Sequence, residues 1–197
     1  EDADVGRFLR LFTDVPLEWL TSKSYAAELA EEIGRGERAS VQRVGGEPPD
    51  TTHVVVVDRE GNIVTMTHSL GSPSGVISPG LGFMFNGCMG VFDPRPGRAG
   101  SIAPGKSRFS SLCPTIVFRG DQPYVALGAP GGTQISMGVT QAILNVVDHK
   151  MTMLEAVSAP RFSSTSNAID VMNRIPRYVT DELETDGYEV IRSPQSF

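Results

Sequence analysis

Cysteine is scarce: the 197-residue chain has two, Cys88 and Cys113. Two cannot make a disulfide framework or a zinc site, so both are expected to be buried packing residues. Histidine is scarce as well. None of His53, His68 and His149 has a Cys, His or Glu partner at ligand spacing, and the sequence offers no metal site. Positive charge is in deficit, with 17 Lys and Arg against 23 Asp and Glu and a net charge of −6. No basic run is available to neutralise phosphates, which argues against nucleic acid as a partner. Apolar runs fall short of the ~20 residues that span a bilayer, so no membrane span is expected. The chain opens Glu1-Asp2-Ala3-Asp4, without an initiator Met or signal pattern. It reads as an excised piece, one domain or one and part of another, and its opening residues do not identify a compartment.

What is present alternates between hairpin and helix patterns. Tyr25, Ala26, Leu29, Ala30 and Ile33 recur at helical spacing, predicting a helix from Ser22 to Ile33 that Gly34 stops. Residues 53–58 and 63–69 read as two strands around the turn Arg59-Glu60-Gly61-Asn62. Residues 71–90 are rich in Gly, Ser and Pro and are expected to be irregular, with short extended pieces such as 82–85. A turn-dense loop covers 93–106. Residues 114–118 and 124–127 predict a second strand pair, and 134–148 a helix. Thr152 and Glu155 have capping-box spacing ahead of a short helix ending near Pro160. A strand at 169–172, a helix at 178–185 ended by Gly187 and a strand at 188–191 close the chain. Hairpins followed by grouped helices predict an α+β layered fold.

The chemistry concentrates at Asp50-Thr51-Thr52-His53. A loop rich in Pro and Gly, 45–49, runs into a threonine that opens a strand. Threonine is an ordinary β-branched choice there. It is also what a self-cleaving N-terminal nucleophile needs. If the Asp50–Thr51 bond is cut, Thr51 carries both a nucleophilic hydroxyl and a base, its own α-amine with an ordinary pKa of about 7.7–8.0. Ser69 ends the partner strand, and hairpin register could bring its hydroxyl beside Thr51. Gly131 and Gly132, between a strand and a helix, could offer backbone N–H groups to an oxyanion. Ser110 and Ser111, close to Lys106 and Arg108, form a plausible carboxylate cradle. Each has an ordinary alternative: a solvent-facing strand end, a plain turn, a polar loop.

One motif misleads. Residues 100–107 match the phosphate-loop pattern G-x-x-x-x-G-K-[ST]. No buried strand precedes them, and 108–114 has no helical period, so nucleotide binding is not expected.

In order along the chain stand Thr51-Thr52-His53, Val57-Asp58, Gly61-Asn62, Ala103-Pro104-Gly105-Lys106, Ser110-Ser111, residues 114–117, Gly128-Ala129-Pro130-Gly131-Gly132, Leu144-Asn145-Val146, residues 155–157 and Ala159-Pro160-Arg161-Phe162. This series resembles the γ-glutamyltransferase (γ-glutamyltranspeptidase) family of N-terminal-nucleophile hydrolases through nearly the whole chain. Residues 15–26 resemble the end of that family's large subunit. The resemblance implies an αββα four-layer sandwich, incomplete at both ends of this chain. It divides the chain into a large-subunit end and pre-cleavage loop, 1–50, and a small-subunit-like catalytic segment, 51–197. It implies self-cleavage between Asp50 and Thr51, with Ser69 where the family has a Thr beside the nucleophile. Gly131 and Gly132 would form the oxyanion hole, and Ser110 and Ser111 would hold the substrate α-carboxylate.

The implied reaction moves a γ-glutamyl group from glutathione or a similar amide to water or an amino acid, through an acyl-enzyme and without a cofactor. The implied partners are that small-molecule amide and the remainder of the large subunit. Such a protein would be periplasmic or secreted, with a cytoplasmic location left open. Two departures bear on the substrate. Gly71 stands where the family has an Asn. Residues 87–92, Gly-Cys-Met-Gly-Val-Phe, stand where it has Asn-Gln-Met-Asp-Asp-Phe, whose Gln and second Asp hold the substrate α-amino group. An amidohydrolase or acylase for a non-glutamyl amide, and an unprocessed non-catalytic homologue, are therefore the alternatives.

Overall fold

The computed structural model describes residues 15–39, 51–164 and 167–193. They fall into two compact units, one formed by 15–39 with 72–111 and the other by 51–71 with the described residues from 112 to 193.

In the first unit, α1 (Leu17–Leu20) leads into α2 (Lys23–Gly34). Ser22 caps α2 by accepting a hydrogen bond from the Tyr25 N–H at 3.0 Å. The stretch expected to be irregular contains an antiparallel pair, β3 (Pro73–Ile77) and β4 (Met84–Asn86). Its register shifts between Pro73 and Ile77, and that bulge breaks the alternation a sequence reading relies on. A Cβ on Gly87 would stand 2.3 Å from the Ser72 carbonyl oxygen, which the Gly87 N–H reaches at 2.7 Å. Glycine is required there by the close approach of two backbones. A 3₁₀ turn, Cys88–Val91, follows. The expected turn-dense loop is present, tied by a bridge from Asp93 to Ser101.

The second unit holds both predicted hairpins, β1 (Thr51–Val57) with β2 (Ile63–Ser69), and β5 (Thr115–Arg119) with β6 (Gln122–Leu127). Helix α3 (Ile135–Val147) buries Ile135, Val139, Ala142 and Val146 on one face, against Val125 and Leu127 of β6 and Ala156 of α4 (Met153–Ser158). Each fully buried Ile or Val of that stripe contributes about 1.5–3 kcal/mol. The capping box of α4 is complete. The Thr152 Oγ1 accepts from the Glu155 N–H, and the Glu155 carboxylate accepts from the Thr152 N–H at 2.8 Å. Those hydrogen bonds from Thr152 hold the Glu155 carboxyl below its ordinary range.

Strand β7 (Phe162–Ser163) pairs antiparallel with β8 (Ala168–Met172). Strand β8 in turn pairs parallel with β9 (Glu189–Ser193), reached through α5 (Arg177–Thr185). Buried at four of its five positions, β8 is a covered central strand. The short β7 was outside the predicted elements. The two cysteines are thiols, and both are half-exposed rather than buried. Cys113 borders the second unit's core, whereas Cys88 opens the 3₁₀ turn of the first, none of whose described apolar residues is buried. Among the described residues no helix is long and apolar enough to cross a membrane.

Candidate active site

The site is set from the far end of the first hairpin. Between β1 and β2 the Gly61 N–H closes a turn onto the Asp58 carbonyl at 3.2 Å, and Gly61 takes a φ of +84°. The Asp58 carboxylate accepts from the Asn62 N–H at 2.7 Å and from its side-chain amide at 2.6 Å. The side-chain bond from Asn62 is the main cause that lowers the Asp58 pKa. This three-residue turn with a left-handed glycine fixes the pairing, and a slip of one residue would turn every side chain over.

Counting back from the turn puts Thr51 opposite Ser69, His53 opposite Thr67 and Val55 opposite Thr65. Odd-numbered residues of both strands therefore share one face. At its open end the Thr51 Oγ1 donates a hydrogen bond to the Ser69 Oγ at 2.9 Å. The same Ser69 Oγ accepts from the Gly71 N–H at 2.9 Å. Gly71 is buried with φ +68°, so the chain doubles back onto the serine as it leaves β2.

Two residues further in, the His53 ring bridges two hydroxyls, Nδ1 to Thr67 Oγ1 at 2.9 Å and Nε2 to Thr65 Oγ1 at 3.0 Å. Thr65 in turn donates a long 3.4 Å bond to the Leu127 carbonyl at the end of β6. Gly128 follows directly. A Cβ there would sit 2.3–2.9 Å from three atoms of the His53 ring.

Next comes the Gly131-Gly132 turn. Gly131 has φ +134° and Gly132 φ +56°, and Gly132 is buried. A short 3₁₀ segment, Gly132–Gln134, runs from there into α3. Consecutive glycines at positive φ ahead of a helix make the kind of backbone concavity that binds anions.

Thr51, Ser69, Gly131 and Gly132 thus belong to one compact unit, with the Thr51–Ser69 pair in direct contact. Ser110 and Ser111 belong to the other, at its C-terminal end, half-buried on irregular backbone. Asp50 and the loop before it lie outside the described residues. The phosphate-loop look-alike opens no helix: residues 106–114 are irregular, and the Lys106 Nζ bonds the Ala99 carbonyl. Among the described residues no three His, Cys, Asp or Glu side chains are grouped to hold a metal ion. Thr65 and Thr67 were not singled out from sequence, and Gly128 entered only as the first residue of the Gly128-Ala129-Pro130-Gly131-Gly132 motif, with no role given to it. Alternation along β2 puts both threonines on the Ser69 face, whereas nothing local marks Gly128 as the floor under a ring.

Asp93, in the first unit, is engaged by its neighbour. Its carboxylate accepts from Arg95 Nε at 2.9 Å and Nη2 at 2.7 Å, and these bonds lower its pKa to about 2.

The family model described as gamma-glutamyltranspeptidase matches residues 10–197. The Acylase ACY 1 proenzyme of Pseudomonas sp. (strain V22) is 40% identical over 93% of this chain and 34% of its own length. The glutathione hydrolase proenzyme of Escherichia coli (strain K12) is 33% identical over 77% of this chain and 29% of its own. The crystal structure of cephalosporin acylase from Bacillus halodurans superposes with a TM-score of 0.79 at 26% identity, over 93% of this chain and 34% of that one. The chain spans about a third of the length of these relatives.

Proposed function

Because the chain belongs to the gamma-glutamyltranspeptidase family and has the α+β fold of N-terminal-nucleophile hydrolases, we propose that it carries the catalytic segment, 51–197, of a self-cleaving amide acyltransferase or hydrolase. Residues 1–50 are then the end of a large subunit and the pre-cleavage loop. The observation that carries this reading is the 2.9 Å hydrogen bond from Thr51 Oγ1 to Ser69 Oγ at the open end of the hairpin. It orients the hydroxyl on a rigid strand, at the residue that becomes the amino terminus if the bond after Asp50 breaks.

In self-cleavage the Thr51 Oγ attacks the Asp50 carbonyl carbon, the peptide becomes an ester as the acyl group moves from N to O, and water releases it. In turnover the freed α-amine accepts the hydroxyl proton while Oγ bonds to the substrate carbonyl carbon. Gly131 and Gly132 N–H groups hold the oxyanion. Collapse breaks the C–N bond, the α-ammonium returns its proton to the leaving amine, and a threonyl ester remains. Water or an amino acid then takes the acyl group. The γ-glutamyl group of a glutathione-like amide is the first donor to try, with Ser110 and Ser111 binding its α-carboxylate.

A second reading has the same machinery acting on a non-glutamyl amide. It is favoured by Gly71 and by residues 87–92, which lack the family's polar partners for an ammonium group, and by Asp93, whose carboxylate Arg95 already occupies. A panel of acyl-p-nitroanilides with the full-length protein decides between them. Strong hydrolysis of the γ-glutamyl compound supports the first, and hydrolysis confined to other acyl groups supports the second. Full turnover by pre-cleaved enzyme carrying Thr51→Ala would overturn both.

A further inference from the structure

We infer that His53 is a positioning residue that locks the nucleophile strand to the oxyanion turn, acting through Gly128. This rests on the reading of Thr51 as nucleophile and of Gly131 and Gly132 as oxyanion donors.

Three observations carry it. First, His53 stands two residues from Thr51 on the same face of β1, and its two ring nitrogens meet Thr67 and Thr65. The ring is pinned at both ends. In the neutral ring the bond that Thr65 donates to the Leu127 carbonyl leaves the Thr65 oxygen to accept from Nε2–H. Nδ1 is then the acceptor for the Thr67 hydroxyl. Second, the ring fills the space over Gly128 that any Cβ would need, at 2.3–2.9 Å. Such a contact is open only to glycine, so ring and backbone are in register with little slack. Third, Gly128 is three residues before Gly131, with only Ala129 and Pro130 between them. Proline fixes its own φ, which removes one of the few rotations that could absorb a displacement of Gly128 before it reaches Gly131. Two elements that must be placed within a fraction of an ångström of each other therefore share one imidazole. Misplacement by ~1 Å in such a constellation costs on the order of 100-fold in rate.

The experiment uses the full-length cleaved enzyme, an amide substrate that it turns over, and a double-mutant cycle of His53→Ala and Gly128→Ala. His53→Ala is expected to lower kcat by about 10- to 100-fold with KM within about twofold of wild type. His53→Gln, which restores a donor near the Nε2 position, is expected to recover part of that loss. Gly128→Ala drives the ring out and lowers kcat similarly. In the double variant the alanine methyl has room, so Gly128→Ala adds no further loss to His53→Ala. A merely structural histidine would not give that sub-additive pattern in kcat alone. Wild-type kcat in folded His53→Ala, or losses that multiply in the double variant, overturns the inference. If His53→Ala does not yield cleaved protein, the inference stands or falls on Gly128→Ala against Gly128→Ala with His53→Gln, where Gln, with no atom at the Cε1 and Nδ1 positions that lie 2.3 and 2.4 Å from the added methyl, must relieve part of the loss. The underlying reading fails separately, by turnover in Thr51→Ala enzyme.

Discussion

Removing one oxygen atom at Ser69 tests the site at its smallest scale. The Ser69 Oγ accepts two hydrogen bonds, from Thr51 Oγ1 and from the Gly71 N–H, each 2.9 Å. Ser69→Ala deletes both at once. Gly71 is buried, so its N–H is left without that acceptor, at a cost of about 1–3 kcal/mol in stability. The Thr51 hydroxyl loses an orienting bond worth about 0.5–1.5 kcal/mol. At 1.36 kcal/mol per decade that is a fall in kcat of about 2- to 13-fold. Ser69→Thr keeps the oxygen and should retain both rate and stability. The assays are steady-state hydrolysis of an amide substrate and urea unfolding of the same preparations. Unchanged kcat and unchanged unfolding free energy in Ser69→Ala would refute the role given to this hydroxyl. A loss in stability alone would leave Ser69 as a scaffold for Gly71 and remove it from the chemistry.

Further outcomes follow from backbone and charge. Gly131→Ala meets only ordinary contacts, at 3.9 Å from Gln134 and Ile135, but its φ of +134° is closed to side-chain-bearing residues; kcat should fall by about 100- to 1,000-fold as the oxyanion donor moves. Gly138→Ala, inside α3 with only the Arg161 side chain 3.9 Å away, should instead stabilise by about 0.5–1 kcal/mol without loss of rate, which thermal melts and initial rates will read. Arg95 lowers the Asp93 pKa from 3.8 to about 2, so the ion pair's contribution is full above pH ~4 and is lost as the pH falls toward 2. Asp93→Asn should remove that part of the acid dependence of unfolding, measured by urea melts between pH 2 and 5.

Much of the second unit was legible because its signals are local. Arg59-Glu60-Gly61-Asn62 fixes a turn, and once the turn is fixed, the pairing of Thr51 with Ser69 is arithmetic along two strands. The recurrence at four, three and four residues from Ile135 to Val146 names the buried face of α3, and Thr152 with Glu155 names the start of α4. What escaped depends on contacts between segments far apart in sequence. The β3–β4 pair is bulged and glycine-spaced, so no alternation marks it. The two-residue β7 is held by its partner rather than by its own propensity. The parallel pairing of β8 with β9 is set by tertiary packing. At the site, His53 reads from sequence only as a histidine without metal-ligand spacing, and only the fold brings Gly128 beneath it. The Asp93–Arg95 fork is adjacent in sequence, yet neither residue type alone distinguishes an ion pair from a substrate contact.

The central proposal is that the hydroxyl held by Ser69 belongs to a chain end made by the protein itself. Intact-mass and amino-terminal analysis of the purified, active full-length protein tests it most directly. Two fragments are expected, one beginning at Thr51, and a single uncleaved chain when Thr51 is replaced by alanine. An active protein whose chain runs unbroken through residues 50 and 51 would contradict it.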